Sequence, residues 1–264
     1  MYAVYWEVIK KSFQQRFVYK IESYFSVLGA LITLFIQISL WYALIGKNGA
    51  VNGINFQNMF NYLIINTVVL ALVASNSGNE LAKKIRDGSV AIDLIRPVNL
   101  KFFLLSQDIG NNLFTVIFNV LPVCLVSIII YGFQLPINAV SFVIFLISLF
   151  NGIIIIFYIN YILGLLAFWL HETWYIHFYT DAFFKLFGGT FVPIWFYPEF
   201  LQFISKFLPF RMVTFAPIEI YIGRITIESS WQVILTQVIW IVILIVIEKI
   251  IWKNAQNKII IQGG

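Results

Sequence analysis

The sequence predicts an all-α integral membrane protein with six membrane-spanning helices. Of 264 residues, 61% are hydrophobic and only 11% are charged, whereas soluble domains average about 25% charged residues. Apolar runs long enough to cross a bilayer as helices, about 20 residues each, recur along the chain. One compact charged segment, residues 79–101, lies between two such runs and holds five of the seventeen basic residues. We expect a single transmembrane domain over residues 1–264, with no room for a soluble catalytic domain.

Residues 2–20 predict an amphipathic helix that lies in the membrane interface. Apolar side chains recur at helical spacing, with polar ones opposite. The apolar set is Tyr2, Trp6, Ile9, Phe13 and Phe17, and the polar set is Glu7, Lys11 and Gln14. Aromatic residues on one face and lysine on the other are typical of interfacial helices. The alternative is that this stretch is only a charged flank of the first span.

The first three spans are predicted at residues 23–45, 59–74 and 102–131, with a polar loop at 46–57. We expect the second span to continue as a helix into Asn76. Near its start, the third span carries Asp108, Asn111 and Asn112 on one face. This face is predicted to lie at the membrane interface, and a cavity lining is the alternative.

The remaining spans are predicted at residues 140–170, 182–189 and 231–252, followed by a short tail. The fourth apolar run has 31 residues, about 46 Å as a helix, which predicts one tilted or extended helix. Asn151 and Asn160 within it are expected to form hydrogen bonds between helices.

No metal or disulfide site is expected. His171, Glu172 and His177 lie in a short connection, but the helical zinc-protease pattern requires a second histidine four residues after the first, and position 175 is tyrosine. Cys124 is the only cysteine, so no internal disulfide can form. We expect the chain itself to bind no cofactor.

Residues 188–223 predict a region of short, broken helices between the fifth and sixth spans, because proline ends or kinks helices. Irregular backbone at membrane depth is tolerated only against protein or a water-filled cavity, which favours a re-entrant outer gate. The alternative is an aromatic loop lying on the lipid. The gate candidates are Gly188, Gly189, Pro193, Pro198, Pro209 and Arg211.

Basic residues predict that both termini and segment 79–101 are cytoplasmic, because Lys and Arg accumulate on cytoplasmic flanks. With the N-terminus inside and six spans, thirteen of the seventeen basic residues face the cytoplasm. The four outer ones are Lys47, Lys206, Arg211 and Arg224.

Segment 79–101 predicts a short amphipathic helix at 80–86, a turn at Asp87-Gly88 and a second apolar turn that stops at Pro97. Such a bend could insert into a soluble partner, whereas the alternative is a solvated loop that merely obeys the positive-inside rule. The docking candidates are Glu80, Lys83, Lys84, Arg86, Asp87, Gly88, Asp93, Arg96 and Pro97.

Three stretches resemble the type-2 (ABC-2) permeases of ABC exporters, in particular short permeases that often work as unlike pairs. They are KKIRDGSVAIDLIRPVN, GGTFVPIWFYPEFLQFISKFLPF and the N-terminal amphipathic helix. The resemblance implies a coupling helix at 80–97, an outer re-entrant hairpin at 188–210 and a connecting helix at 2–20. It also implies an ABC-type ATPase partner that carries ATP and magnesium, a second permease subunit in a homodimer or heterodimer, and a bacterial inner membrane.

The chain itself lacks an ATPase motif, because Gly46-Lys47 has neither the upstream glycine nor the following Ser/Thr of a phosphate-binding loop. The expected function is therefore a permease subunit for a drug, peptide, lipid or glycan, and no nucleic acid is expected as a partner. One alternative is an ion-coupled secondary transporter, although the span centres offer mainly asparagine and no clear buried acid. A membrane-embedded enzyme built on Asp108, His171 and Glu172 is a weaker alternative.

Overall fold

The computed structural model describes residues 2–46, 49–136, 138–170 and 172–262, which are largely helical. The α-helices are α1 Tyr2–Gln15, α2 Lys20–Ile45, α3 Phe56–Val73, α4 Ser77–Arg86, α5 Val90–Ile95, α6 Leu100–Phe114, α7 Leu121–Tyr131, α8 Ala139–Leu165, α9 Trp174–Phe187, α10 Glu199–Lys206, α11 Pro209–Val213, α12 Phe215–Tyr221 and α13 Ile227–Gln262. Short 3-10 turns occur at Arg16–Tyr19, Leu166–Phe168 and Ile194–Phe196, and a π-helical segment, Thr115–Val120, joins α6 to α7.

Five helical stretches in the described residues are long and apolar enough to cross a membrane. They are Ile21–Ile45, Phe56–Arg86, Leu100–Tyr131, Ala139–Phe168 and Ile227–Lys258. The predicted fifth span corresponds to α9, which begins at Trp174 rather than near residue 182. With 14 residues, α9 is about 21 Å long, shorter than the ~30 Å hydrocarbon layer.

One end of the bundle is formed by α1, α4, α5, the start of α6 and the last turns of α8 and α13. A Cβ atom built on Gly164 of α8 would lie only 2.7 Å from the carbonyl oxygen of Gly78 in α4. Lys101 of α6 forms an ion pair with Glu248 of α13 at 3.2 Å. The Tyr5 hydroxyl of α1 accepts a hydrogen bond from the backbone N–H of Asn99, just before α6. We call this the α4 end.

The opposite end, called the α12 end, holds a small hairpin and helices α10 to α12. The hairpin pairs β1 Ala50–Val51 with β2 Ile54–Asn55, inside the stretch predicted as a polar loop. Its turn places Asn52 and Gly53 at positive φ, the conformation that favours Asn-Gly in tight hairpins. Asn52 reaches across to donate a hydrogen bond to the Trp195 carbonyl.

The core lies where α3, α8 and α12 meet. Large side chains such as Phe60, Tyr62, Ile155 and Phe215 are almost completely buried there. Buried Gln237 on α13 ties this core together, because its amide nitrogen donates to the carbonyl oxygens of α8 and α11 at 3.0 and 2.8 Å. Satisfying polar groups within the protein is what a lipid environment requires.

Several predicted boundaries are wrong. The second span does not continue as one helix into Asn76, because residues 74–76 interrupt it before α4 begins. The predicted C-terminal tail is helical as far as Gln262. The third span contains the π-helical segment immediately before Pro122, a feature that proline can induce because it lacks an N–H donor and crowds the preceding turn.

Candidate functional site

Helix α4 is fixed to α8 by glycine contacts. Its buried face includes Gly78, Leu81 and Ile85, and it lies against the last turns of α8. A Cβ atom built on Gly78 would meet the backbone carbonyl oxygen of Asn160 and lie 2.7 Å from Cε1 of His177 on α9. Helices α4, α8 and α9 therefore meet around one residue that has no side chain.

Helix α5 folds back on α4 through a network of ion pairs. The Lys84 ammonium lies 2.6 Å from Asp93 and 3.8 Å from Glu80, and Arg96 lies 3.0 Å from the other oxygen of Asp93. Lys84 and Asp93 are mostly buried, so this pair is better shielded than a surface pair, which typically contributes only ~0–1 kcal/mol. The predicted helix, bend and second turn are confirmed as structure.

The bend consists of Asp87, Gly88 and Ser89. Gly88 has φ of 77°, a conformation that costs other residues free energy. The backbone N–H and hydroxyl of Ser89 both donate to the Asp87 carboxylate, and these bonds lower the pKa of Asp87. Because the folded pKa is depressed, the stabilising effect is present above the unfolded value and is lost only as the pH falls through the acidic range.

Apolar side chains project from α5 next to these charges. Ile92 is 60% and Ile95 84% exposed, and Leu94 is also exposed, whereas Val90 turns inward. Exposed apolar residues rimmed by polar groups mark interaction surfaces. The predicted docking candidates did not include Ile92, Leu94 or Ile95, although the apolar pattern of VAIDLI was a usable signal for them.

The predicted docking residues have different environments. Lys83, Arg86 and Pro97 are exposed. Arg86 donates to the Thr173 hydroxyl at 3.2 Å, so part of its role is internal and it would be an ambiguous probe of docking.

The interruption between α3 and α4 is stabilised by the polar face of α6. The Asn112 amide donates to the carbonyl oxygens of Leu72 and Ala74 at 2.9 and 2.6 Å. The Asp108 carboxylate accepts hydrogen bonds from the Ser75 hydroxyl at 2.6 Å and from the backbone N–H of Asn76 at 3.1 Å. This face therefore binds backbone groups that the helix break leaves without partners, and its location at the membrane interface stays a prediction.

A cavity of about 410 Å³ adjoins this interruption. Its polar lining consists of Ser75, Asn79, Asn160, His177, Thr180 and Asp181, and Val73, Ala74, Ile156 and Phe184 complete it. Asn160 donates to Ile156 within its own helix and forms no hydrogen bond to another helix among the described residues, so that prediction is wrong. Asn151, by contrast, approaches Gln237 of α13 at 3.4 Å and is confirmed in that role.

At the α12 end, the glycines that follow α9 are held by the core. The Tyr62 hydroxyl donates to the Gly189 carbonyl at 2.6 Å, and the Asn66 amide donates to the Thr190 carbonyl at 3.0 Å. Gly189 has φ of 70°, and a Cβ atom there would approach Phe215 at 2.9 Å. These contacts attach the α9 terminus to α3 and α12.

The predicted gate residue Arg211 belongs to a buried cluster around Glu219, a residue that sequence reasoning missed. Arg211 lies 3.2 Å from the Glu219 carboxylate, and the Trp195 indole donates to its other oxygen at 2.7 Å. The guanidinium of Arg224 lies 4.6 Å from the Trp195 ring, a cation–π arrangement.

The prolines begin short helices as predicted. Pro193 precedes the 3-10 turn, Pro198 precedes α10, and Pro209 is at the start of α11, where the missing N–H costs little. The structure contains more helix here than predicted, because α11 and α12 follow α10. Buried α12 contrasts with α10, whose phenylalanines are exposed.

The histidine connection brings together no metal site within the described ranges. Among those residues, no three His, Cys, Asp or Glu side chains are grouped so that they could hold a metal ion. His171 lies outside the described residues, and the buried Nε2 of His177 has no hydrogen-bond partner in the described part of the chain.

The fold defines a helical membrane protein with several membrane-spanning helices. The profile of the family described as "ABC-2 family transporter protein" matches residues 30–263. The chain therefore belongs to this family, which comprises membrane components of ABC transport systems rather than catalytic subunits. No curated protein matches the chain at a significant level.

Proposed function

We propose that this chain is a permease subunit of an ATP-driven exporter. It forms the transport path with a second permease, and a separate cytosolic ABC ATPase hydrolyses ATP and drives it. The observation that carries the proposal is the projecting α4–α5 segment, which is internally braced by Lys84 and Asp93 yet exposes Ile92 and Ile95. A rigid segment with exposed apolar side chains provides a docking surface.

The proposed topology places the α4 end in the cytoplasm of a bacterial inner membrane. Helix α1, the α4–α5 segment and the end of α13 share that end through the contacts described above, and most basic residues flank it. Six crossings follow if α9 is a short fifth span, since Thr173 before it contacts Arg86 at one end and Gly189 after it contacts Tyr62 at the other.

The polar cavity beside the α3–α4 interruption is proposed to be part of the transport path. A broken helix at membrane depth is expected only against protein or a water-filled cavity, and ionisable residues such as His177 and Asp181 within a span mark transport pathways. Helix α4 connects the two sites, because one face contributes to docking while Asn79 lines the cavity.

The test replaces one exposed apolar residue at each end of the bundle. Ile95→Glu should weaken association with the ATPase at least about tenfold, since a charge buried at an interface centre costs at least that much. Leu135→Glu is the matched control, because Leu135 is 81% exposed at the α12 end. Both variants are purified from native membranes, and the ATP hydrolysis that copurifies is measured. Equal ATPase recovery with both variants would contradict the proposal.

A further inference from the structure

A small, largely polar cavity lies at the elbow between α1 and α2, next to the π-helical segment that follows α6. It has a volume of about 130 Å³. Its polar lining is Arg16, Glu22, Ser23, Ser26, Thr115 and Asn119, and Phe114 completes it. Arg16 begins the 3-10 turn that links the two helices, and Glu22 lies in the first turn of α2. The cavity thus occupies the point where the N-terminal amphipathic helix enters the first span.

The π-helical segment forms the inner wall of this cavity. Asn119, in its last turn, is only 8% exposed. Its amide nitrogen donates to the Ser26 hydroxyl at 3.2 Å, while its amide oxygen is buried without a hydrogen-bond partner among the described residues. Unsatisfied buried acceptors are uncommon, and π-helical turns frequently occur at functional sites.

The cavity carries two opposite charges that do not neutralise each other. Arg16 uses its Nε to donate to Asn111 at 3.2 Å, and neither Arg16 nor Glu22 has an ion-pair partner within 4.0 Å in the ranges that the structure describes. Both side chains are exposed, so a ligand can reach them from outside. The site is therefore complementary to a zwitterion, with an anion at Arg16 and a cation at Glu22.

We propose that this cavity binds the head group of a phospholipid with a primary amine, phosphatidylethanolamine. The phosphate pairs with the Arg16 guanidinium, and the ammonium donates to the Glu22 carboxylate and neighbouring hydroxyl oxygens. The trimethylammonium of phosphatidylcholine has no N–H donors, and it is normally recognised by aromatic cages, which this polar cavity lacks among the lining residues.

The acyl chains have an apolar surface beside the head group. Phe17, Phe114 and Phe118 pack against one another there, with ring centroids 4.9 to 5.1 Å apart. Phe114 also lines the cavity. An amphipathic helix lies at the depth of lipid head groups, so charge, hydrogen bonding and depth agree on a lipid as the occupant.

The first test uses the unaltered chain and varies only the lipid. The delipidated protein is titrated with phosphatidylethanolamine, its N-methyl and N,N-dimethyl derivatives and phosphatidylcholine, and bound lipid is counted by native mass spectrometry. Affinity should fall stepwise as N–H donors are removed, by about tenfold or more overall, because each lost bond to a charged group weakens binding. Soluble phosphoethanolamine should compete poorly, since it lacks the acyl chains. Equal affinity along the methylation series would overturn the proposal.

The second test uses variants. Glu22→Gln should abolish the preference for phosphatidylethanolamine over phosphatidylcholine, because Glu22 accepts from the amine. Arg16→Gln should instead weaken binding of both lipids, because both carry the phosphate. Glu7→Gln should retain the preference, because Glu7 is an exposed residue of α1 that pairs with Lys10 outside the cavity. A preference that persists in Glu22→Gln, with the variant eluting from gel filtration as the parent does, would equally overturn the proposal.

Discussion

The contact between α4 and α8 can be tested by adding one methyl group. In Gly78→Ala, the new Cβ atom would meet the Asn160 carbonyl oxygen and lie 2.7 Å from the His177 ring. The first of these neighbours is backbone, so relief requires α4 and α8 to move apart. Overpacking of this kind costs about 1–3 kcal/mol, and we expect the free energy of unfolding to fall by that amount.

Gly29→Ala provides the matched control. Gly29 lies within α2, and a Cβ atom there would meet nothing within 4 Å. Alanine is favoured over glycine in a helix by about 0.8–1.0 kcal/mol, so this variant should be neutral or slightly stabilised. The two variants should therefore differ by about 1–4 kcal/mol in unfolding free energy, measured in detergent with increasing denaturant.

Gly164→Ala approaches the same contact from the other side, because its Cβ atom would lie 2.7 Å from the Gly78 carbonyl oxygen and 3.0 Å from the Gly78 Cα atom. It should lose stability as Gly78→Ala does. If a movement of α4 is passed on through α8, both variants should also transport less substrate for each ATP hydrolysed when they are assembled with the ATPase. Stabilities of Gly78→Ala and Gly164→Ala equal to that of Gly29→Ala would refute the assigned contact.

Two further predictions concern buried polar contacts. Asp108→Leu should destabilise the protein by about 2–4 kcal/mol, because the Ser75 hydroxyl and the Asn76 backbone N–H lose their acceptor. Asp108→Asn should retain most of the stability. A leucine variant as stable as the asparagine variant would contradict this role. Glu248→Gln should cost about 3–5 kcal/mol by leaving Lys101 without its buried partner, and combining it with Lys101→Met should recover much of the loss in the same unfolding assay.

The local signals in the sequence predicted the elements that depend on neighbouring residues. Hydrophobic runs located the long spans, and Gly88 with Pro97 bounded the two helices of the charged segment, because glycine and proline act on their own turns. The prolines after α9 likewise predicted a series of short helices. These features require no knowledge of distant contacts.

The features that could not be predicted depend on residues far apart in the chain. The interruption before α4 exists because Asp108 and Asn112, more than thirty residues later, satisfy its backbone. Similarly, the partner of Arg211 is Glu219, whose burial depends on α12 packing against α8. The early start of α9 was missed because its first turns are aromatic and polar rather than apolar.

The central claim, that α5 docks against an ATPase, is tested most directly by site-specific cross-linking. In a Cys124→Ala background, which removes the only native thiol, Ile95→Cys and Leu135→Cys variants are labelled with a short photo-activatable thiol reagent in native membranes. If α5 docks on the ATPase, an ABC ATPase is cross-linked from position 95 and not from position 135. Cross-linking of the ATPase from position 135 alone, or from neither position while the transporter complex is intact, would contradict it.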